Sequence, residues 1–323
     1  MKKVVVIGGG TGSFTVLSGL KNLYDLSAIV TMADDGGSTG VLREEFGILP
    51  PGDVRRALVA LSSSDNKILS ELFNFRFDTN SSLNGHSLGN LLLTALAKIT
   101  GDWREALREA VTILNVKGEV IPVTLDKTKL HAELENSAII EGESNIDIPK
   151  HDPRLKIKRV YLAPQAKANE DAVRAILAAD FVIIGPGDLY TSLLPNLLVK
   201  GILEALRKTN AKIIYITNIM TKYGETNNFA ASDFVKVIEE YLGKGILDYV
   251  VVNVEKMAGK ILQRYKEENV DYVNFDKEKF NSDLIGVNNH FKTITGRFLR
   301  TRGEFLRHDQ EKLAKTLSKI IGK

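Results

Sequence analysis

The chain has 323 residues, 44% of them hydrophobic and 26% charged in near balance, and it has no cysteine. A formal net charge of +3 with no basic run argues against nucleic acid as a partner. The missing thiols exclude disulfides, cysteine nucleophiles and cysteine-ligated zinc, and the length suits one large α/β unit or two modest domains.

Met1-Lys2-Lys3 precedes only four apolar residues, Val4-Val5-Val6-Ile7. That is too short for a signal peptide or a membrane span, so no membrane span and a cytoplasmic location are the default expectation. The run reads as a buried strand and feeds Gly8-Gly9-Gly10-Thr11-Gly12-Ser13. Glycines let backbone N–H groups turn outward and let a phosphate approach closely. A helix is expected from about Ser13, with Leu17, Leu20 and Leu23 on one face, and its N-terminus adds partial positive charge. The spacing departs from the G-x-G-x-x-G dinucleotide fingerprint. Gly8 and Gly10 fit, but Ser13 takes the third glycine's place and Gly12 comes one residue early. A bare strand-to-helix turn needs fewer glycines and hydroxyls than this loop carries, which favours a phosphate cradle.

A second apolar run, Ala28-Ile29-Val30-Thr31-Met32, empties into Asp34-Asp35-Gly36-Gly37-Ser38-Thr39-Gly40. One acid about twenty residues past the glycines is where a dinucleotide-binding fold holds ribose hydroxyls. Two acids exceed that need, and an oxygen-rich loop suits Mg²⁺ beside phosphates. Adjacent side chains diverge, so one of Asp34 and Asp35 is expected to face ligand or metal. The competing reading is a solvated turn whose acids cap Thr39 or the next helix.

Pro50-Pro51 stops an element, and Asp53 is expected to N-cap a helix from Val54 to Ser62. Of Arg55 and Arg56, one can meet phosphate while the other faces solvent. His86, in Asn84-Gly85-His86-Ser87-Leu88-Gly89-Asn90, either orients a turn or lines the site. A strongly apolar helix runs from about Leu88 to Ile99, and Asn90 within it is a buried amide that needs partners. Trp103 to Leu114 reads as another helix. From roughly 116 to 158 the strand-like Val120–Leu125 and Ala138–Gly142 suggest a small β-rich insertion, in which His131 and His151 read as structural or exposed.

Alternation resumes with a strand at Val160–Leu162 and a helix from Glu170 to Ala179. Phe181–Ile184 is a continuous apolar strand, as in a parallel sheet covered on both faces. It feeds Gly185-Pro186-Gly187-Asp188. Strands from Lys212 to Thr217, ending at Asn218, and from Tyr249 to Val252 follow, with a closing helix from about Gln310 to Ile321. The singled-out residues cluster at strand C-termini, which form the ligand crevice of an open parallel sheet.

Gly8–Ser13, Ala33–Gly40, Leu49-Pro50-Pro51-Gly52-Asp53-Val54-Arg55, Gly85–Asn90 and Gly185-Pro186-Gly187 together resemble the bacterial gluconeogenesis-factor family (YvcK-type). That family lies within the CofD-like superfamily of 2-phospho-L-lactate transferases. The resemblance extends over nearly the whole chain, including Val123-Thr124-Leu125-Asp126 and Leu130-His131-Ala132-Glu133-Leu134. It implies a Rossmann-like three-layer α/β/α fold with a mostly parallel sheet, residues 1–323 forming one domain with the β-rich insertion. It also implies a UDP-sugar ligand such as UDP-N-acetylglucosamine, and a role in cell shape and in growth on gluconeogenic carbon sources. The related transferases move a phospholactyl group from a guanosine diphosphate donor onto a deazaflavin alcohol, with Mg²⁺.

Carried onto this chain, Gly10, Thr11 and Gly12 would face phosphates, flanked by Gly9 and Ser13. Asp34 or Asp35 would hold metal or ligand. His86 and Asn90 would line the crevice with Asp53, Gly185 and Gly187, while Asn196 and Asn218 would approach the nucleotide. Tyr265 and Arg307 would lie toward the sugar. The chain departs from the family pattern in three places. Ser13-Phe14-Thr15-Val16 lacks the lysine that transferases carry there, Asp188 replaces a serine, and Lys222-Tyr223 replaces Gln-Pro. An acid at 188 weakens phosphate binding unless it points outward or meets a metal.

The leading expectation is a regulatory protein that binds a nucleotide sugar without turnover, its partner being a small-molecule nucleotide and homo-oligomerisation left open. The alternative is a Mg²⁺-dependent phospholactyl transferase that works by positioning and charge neutralisation. A third reading, an NAD-binding oxidoreductase, lacks an evident hydride-site acid or base.

Overall fold

The computed structural model describes residues 1–63, 67–256, 260–281, 291–300 and 305–322. Its strands in chain order are β1 (Lys3–Gly8), β2 (Asp25–Val30), β3 (Glu119–Pro122), β4 (Lys129–Leu134), β5 (Ile139–Glu141), β6 (Ile157–Ala163), β7 (Phe181–Ile184), β8 (Lys212–Ile216), β9 (Tyr249–Asn253) and β10 (Lys292–Gly296). Seven form one sheet in the order β10-β9-β8-β7-β1-β2-β3, and every pairing in it is parallel. The remaining three form a small antiparallel sheet, β5-β4-β6. The central strands read Val-Val-Val-Ile, Phe-Val-Ile-Ile and Ile-Ile-Tyr-Ile, and these runs are almost wholly buried. Helices must therefore cover both faces. The fold is the expected α/β, Rossmann-like arrangement.

The strand order reverses at β1. The chain goes from β1 to β2 on one side, and later returns through β7 on the other. The crevice outside the strand ends opens at such a switch point. Val4 pairs with Phe181 and Ile7 with Ile184, so β1 and β7 end level and their glycine loops leave side by side.

Five helices matter for the site: α1 (Gly10–Leu20), α2 (Gly37–Phe46), α3 (Pro51–Leu61), α4 (Lys67–Asn74) and α5 (Leu88–Thr100). Two of them start earlier than the sequence suggests. Helix α1 begins at Gly10, whose φ of +66° lets the chain turn without strain, rather than at Ser13. The helix ends at Leu20, so Leu23 lies beyond it and is exposed. Helix α3 begins at Pro51, where proline's fixed φ suits the first turn, so the N-cap is Pro50 and not Asp53.

The expected insertion at about 116–158 is displaced. β3 pairs with β2 in the main sheet, while β6, read from sequence as a return to the α/β alternation, closes the small sheet against β4. Among the described residues no helix is long and apolar enough to cross a membrane.

Candidate functional site

The end of β1 passes through Gly9 into the first turn of α1. Helix geometry leaves the first N–H groups without intrahelical partners. The Gly10 N–H is taken by the protein itself, donating to Asp53 Oδ1 at 2.9 Å. Those of Thr11 and Gly12 have no such helical partner and stand at the crevice. A methyl group on Gly12 would lie 2.1 Å from the Pro186 carbonyl oxygen, so glycine is what lets the loop after β7 touch the start of α1. Ser13 is turned inward, its Oγ donating to the Gly9 carbonyl at 3.2 Å.

A cavity of about 280 Å³ opens between these loops, lined by Thr11, Gly12, Gly187, Asp188, Asn218, Tyr265, Arg307 and His308. Asn218 follows β8 and its Oδ1 is buried with no hydrogen-bond partner. Tyr265 Oη accepts the Leu306 N–H at 3.2 Å, and Arg307 lies over the Phe305 ring at 5.0 Å. These contacts hold the C-terminal segment against the cavity. Burial pushes the His308 imidazole down to about 4, so it is neutral at physiological pH. Asn196 sits beneath: its Nδ2 donates to the Gly8 carbonyl at 3.3 Å and to the Ser192 carbonyl at 2.9 Å, bracing the end of β1. Gly185, at φ +80°, makes the turn out of β7.

The two aspartates after β2 diverge as expected. Asp34 Oδ1 accepts the Gly36 N–H at 3.0 Å, and its other oxygen lies over the first turn of α3. Burial, and next the charge of Asp53, push its carboxyl up to about 6. Arg56 pairs with Asp53 at 3.1 Å. Asp35 turns the other way. It accepts the N–H groups of Ser144 at 2.8 Å and Glu143 at 3.2 Å, capping the short helix Glu143–Asp147 of the insertion. Asp34 is therefore coupled to Asp53, the carboxylate that sits against the glycine turn, and not to Asp35. Among the described residues no three His, Asp or Glu side chains are grouped to hold a metal alone. Two carboxylates beside exposed N–H donors suit a hard cation whose remaining ligands are phosphate oxygens and water.

Asp34→Asn is expected to raise the melting temperature at pH 8 and to flatten its pH dependence. The folded-state pKa of Asp34 lies above the ordinary carboxylate value. Asp34 therefore favours folding where it is protonated, and that contribution fades as pH rises from about 4 through about 6. Thermal scans of both proteins from pH 4 to pH 8 check this; parallel curves would contradict it.

His86 and Asn90 belong to a second network. His86 Nδ1 and Ser38 Oγ are 3.0 Å apart, Asn90 Nδ2 donates to Ser38 Oγ at 3.3 Å, and Arg55 Nε donates to Asn90 Oδ1 at 3.0 Å. Arg55 continues to Asn74 Oδ1 at 2.6 Å and is buried, which lowers its pKa to about 10. The Asn90 amide thus has protein partners, and it is Arg55 that points inward while Arg56 stays at the site.

Sequence reasoning missed the hub opposite these acids. Lys222 Nζ donates to Asp188 Oδ2 at 2.9 Å and to Asp147, and lies 3.1 Å from Glu225 Oε1. Burial alone would lower its pKa, but the three carboxylates outweigh that and hold it charged. Burial raises that of Glu225, whose Oε1 also accepts from Thr191 Oγ1 at 3.2 Å. Glu143 is pushed up to about 9, first by burial and then by Asp34. Two departures of opposite charge, Asp188 and Lys222, were the available signal: they are each other's partner.

A family model described as 2-phospho-L-lactate transferase CofD matches residues 4–290. A gluconeogenesis factor of Halalkalibacterium halodurans is 44% identical over 318 residues, covering 98% of this chain and 95% of the relative. The gluconeogenesis factor of Bacillus subtilis is 42% identical over 321 residues, covering 99% of this chain and 98% of the relative. A crystal structure of a Bacillus halodurans protein of the UPF0052 family superposes with a TM-score of 0.90 at 43% identity, covering 98% of this chain and 99% of that one.

Proposed function

Because the chain belongs to the CofD family, and within it to the gluconeogenesis factors, we propose that it is a cytoplasmic regulatory protein that binds a nucleotide sugar of the UDP-N-acetylglucosamine kind. Its role is in growth on gluconeogenic carbon sources and in cell shape. The observation that carries this reading is the cavity at the β1/β7 switch point. Free N–H donors of α1 lie at one end of it, and the unpartnered Asn218 Oδ1, Tyr265 and Arg307 at the other. The diphosphate lies against Thr11, Gly12 and Gly187, where the helix N-terminus favours negative charge. Asn218 Oδ1 accepts an N–H from the base or the sugar amide, and Arg307 meets the remaining anionic oxygens.

The carboxylate pair favours a second reading, a phospholactyl transferase acting on a guanosine diphosphate donor. Asp34 and Asp53 would hold Mg²⁺, which when bound neutralises diphosphate charge. Arg56 balances Asp53. The missing lysine after the glycine turn places this reading second.

A thermal-shift panel separates the readings. UDP-N-acetylglucosamine is expected to raise the melting temperature more than GDP with Mg²⁺ or NAD⁺. Saturation at a hundred times Kd stabilises the native state by about 2.7 kcal/mol. That corresponds to a shift of several degrees for a chain of this size. Preference for GDP with Mg²⁺, or turnover of a phospholactyl donor, would replace the regulatory reading by the transferase; preference for NAD⁺ would overturn both.

A further inference from the structure

The main sheet leaves one corner bare. A parallel sheet is normally covered on both faces. Strand β2 reads Asp-Leu-Ser-Ala-Ile-Val, and Asp25 and Ser27 at its start reach solvent while Ile29 is buried. The register sets Val5, Ser27 and Glu119 side by side on one face, and Ser27 Oγ donates to Glu119 Oε2 at 3.3 Å. Over this corner lies a trough of about 790 Å³, far larger than the cavity at the switch point. Its floor is the start of β1, β2 and β3, and its walls are helix α6 (Trp103–Leu114) and the helix Glu170–Ala178.

The walls have the dimensions of a helix socket. Trp103, Leu107 and Val111 recur every four residues along α6 and line one wall, while the small Ala175 and Ala178 leave room on the other. Trp103 to Val111 is about 12 Å of helix. Volume over length gives a section roughly 8 Å across, near the spacing of about 8–10 Å between packed helix axes. An extended segment would find little to hold here. The Val123 N–H donates to the Val30 carbonyl, so on the edge strand β3 it is Val120 and Pro122 that face outward. Pro122 has no N–H, and its carbonyl already accepts Asn169 Nδ2 at 3.2 Å. Val120 alone is too little to template a strand.

The lips are basic. Arg104 and Arg108 stand one turn apart on the α6 side and Arg174 on the other, all three exposed. Arg104 has no ion-pair partner among the described residues. Arg108 pairs with Glu105 and Arg174 with Asp171, each within its own helix, and such surface pairs are exchanged at little cost. The acids of the floor have company of their own: Asp25 is the register partner of Lys3, and Glu119 is held by Ser27. We propose that the trough receives one acidic amphipathic helix of a partner protein, its apolar face on Trp103, Leu107 and Val111 and its carboxylates on Arg104, Arg108 and Arg174. This is the groove mode of helix recognition, with guanidinium groups flanking an apolar floor. The trough opens at the starts of the strands, the opposite end of the sheet from the nucleotide crevice, so it is independent of the nucleotide reading.

Trp103 is the only tryptophan of the chain, so its emission reports on the trough. The probe is a synthetic amphipathic peptide of about fifteen residues, leucines on one face and glutamates on the other, long enough to form a helix on the protein surface. Titrated into the full chain, it is expected to shift Trp103 emission saturably, with a micromolar Kd. Arg104→Glu combined with Arg174→Glu should weaken binding about tenfold or more while circular dichroism stays unchanged. Both side chains are exposed, and a glutamate in the first turn of α6 suits its N-terminus. The same peptide with lysine in place of glutamate should bind the parent far more weakly and the double variant better than the glutamate peptide does. Ala175→Phe, which fills the trough without altering its charge, should also abolish the shift, and it decides the matter if the charge variant fails to fold. No saturable shift in the parent, equal binding of the two peptides, or a variant of either kind that binds the glutamate peptide like the parent would each overturn the proposal.

Discussion

Gly12→Ala is expected to abolish nucleotide binding and to lower the melting temperature by several degrees. The added methyl group would lie 2.1 Å from the Pro186 carbonyl oxygen and 3.1 Å from the Gly187 nitrogen, both backbone atoms that no rotamer change can move aside. Relief requires the loop after β7 to separate from the start of α1, and these two loops form the proposed diphosphate cradle. Overpacking of this kind costs about 1–3 kcal/mol. Gly36→Ala is the matched control, because its methyl would meet only ordinary contacts at 3.6 Å and beyond. Calorimetric titration with UDP-N-acetylglucosamine reads the difference. Unaltered affinity in Gly12→Ala would show that the cradle lies elsewhere.

Lys222→Met is expected to be the most destabilising single change in the crevice. Three carboxylates, Asp147, Asp188 and Glu225, share this one ammonium, and the side chain of Glu225 is fully buried. Removing one partner of a buried ionic group leaves uncompensated charge and costs about 3–5 kcal/mol. Because Asp188 and Asp147 are partly exposed, the lower end applies. Adding Asp188→Ser to Lys222→Met should recover part of the loss by removing one of the stranded charges. Urea unfolding of the parent, the single and the double variant measures both steps. A single variant within half a kcal/mol of the parent, or a double variant less stable than the single, would contradict the hub.

The contiguous strands were legible because a parallel sheet buried on both faces needs unbroken apolar runs, and β1, β7, β8 and β9 have them. Strand partners were not. Nothing within Val120-Ile121-Pro122 says that it pairs with β2, ninety residues earlier, or that β6 leaves the main sheet; register is decided by long-range packing. At the site, the sequence pointed to two acids but could not choose between them. The choice is made by the helix Glu143–Asp147, more than a hundred residues on, whose N–H groups take Asp35 and leave Asp34 facing Asp53. Asp53 was misplaced for a local reason. Pro51 marks the first helical turn, which moves Asp53 from the cap to the third position and turns its carboxylate onto Gly10. Asn90 was right as a buried amide needing partners, but those partners, Arg55 and Ser38, come from α3 and α2.

The central claim is that the glycine turn after β1 and the loop after β7 hold a diphosphate between them. A crystal structure of the protein with UDP-N-acetylglucosamine tests it most directly. The account predicts phosphate oxygens within hydrogen-bonding distance of the Thr11 and Gly12 N–H groups, with Asn218 Oδ1 satisfied by the ligand. Density for the nucleotide elsewhere, with Asn218 still lacking a partner, would contradict it.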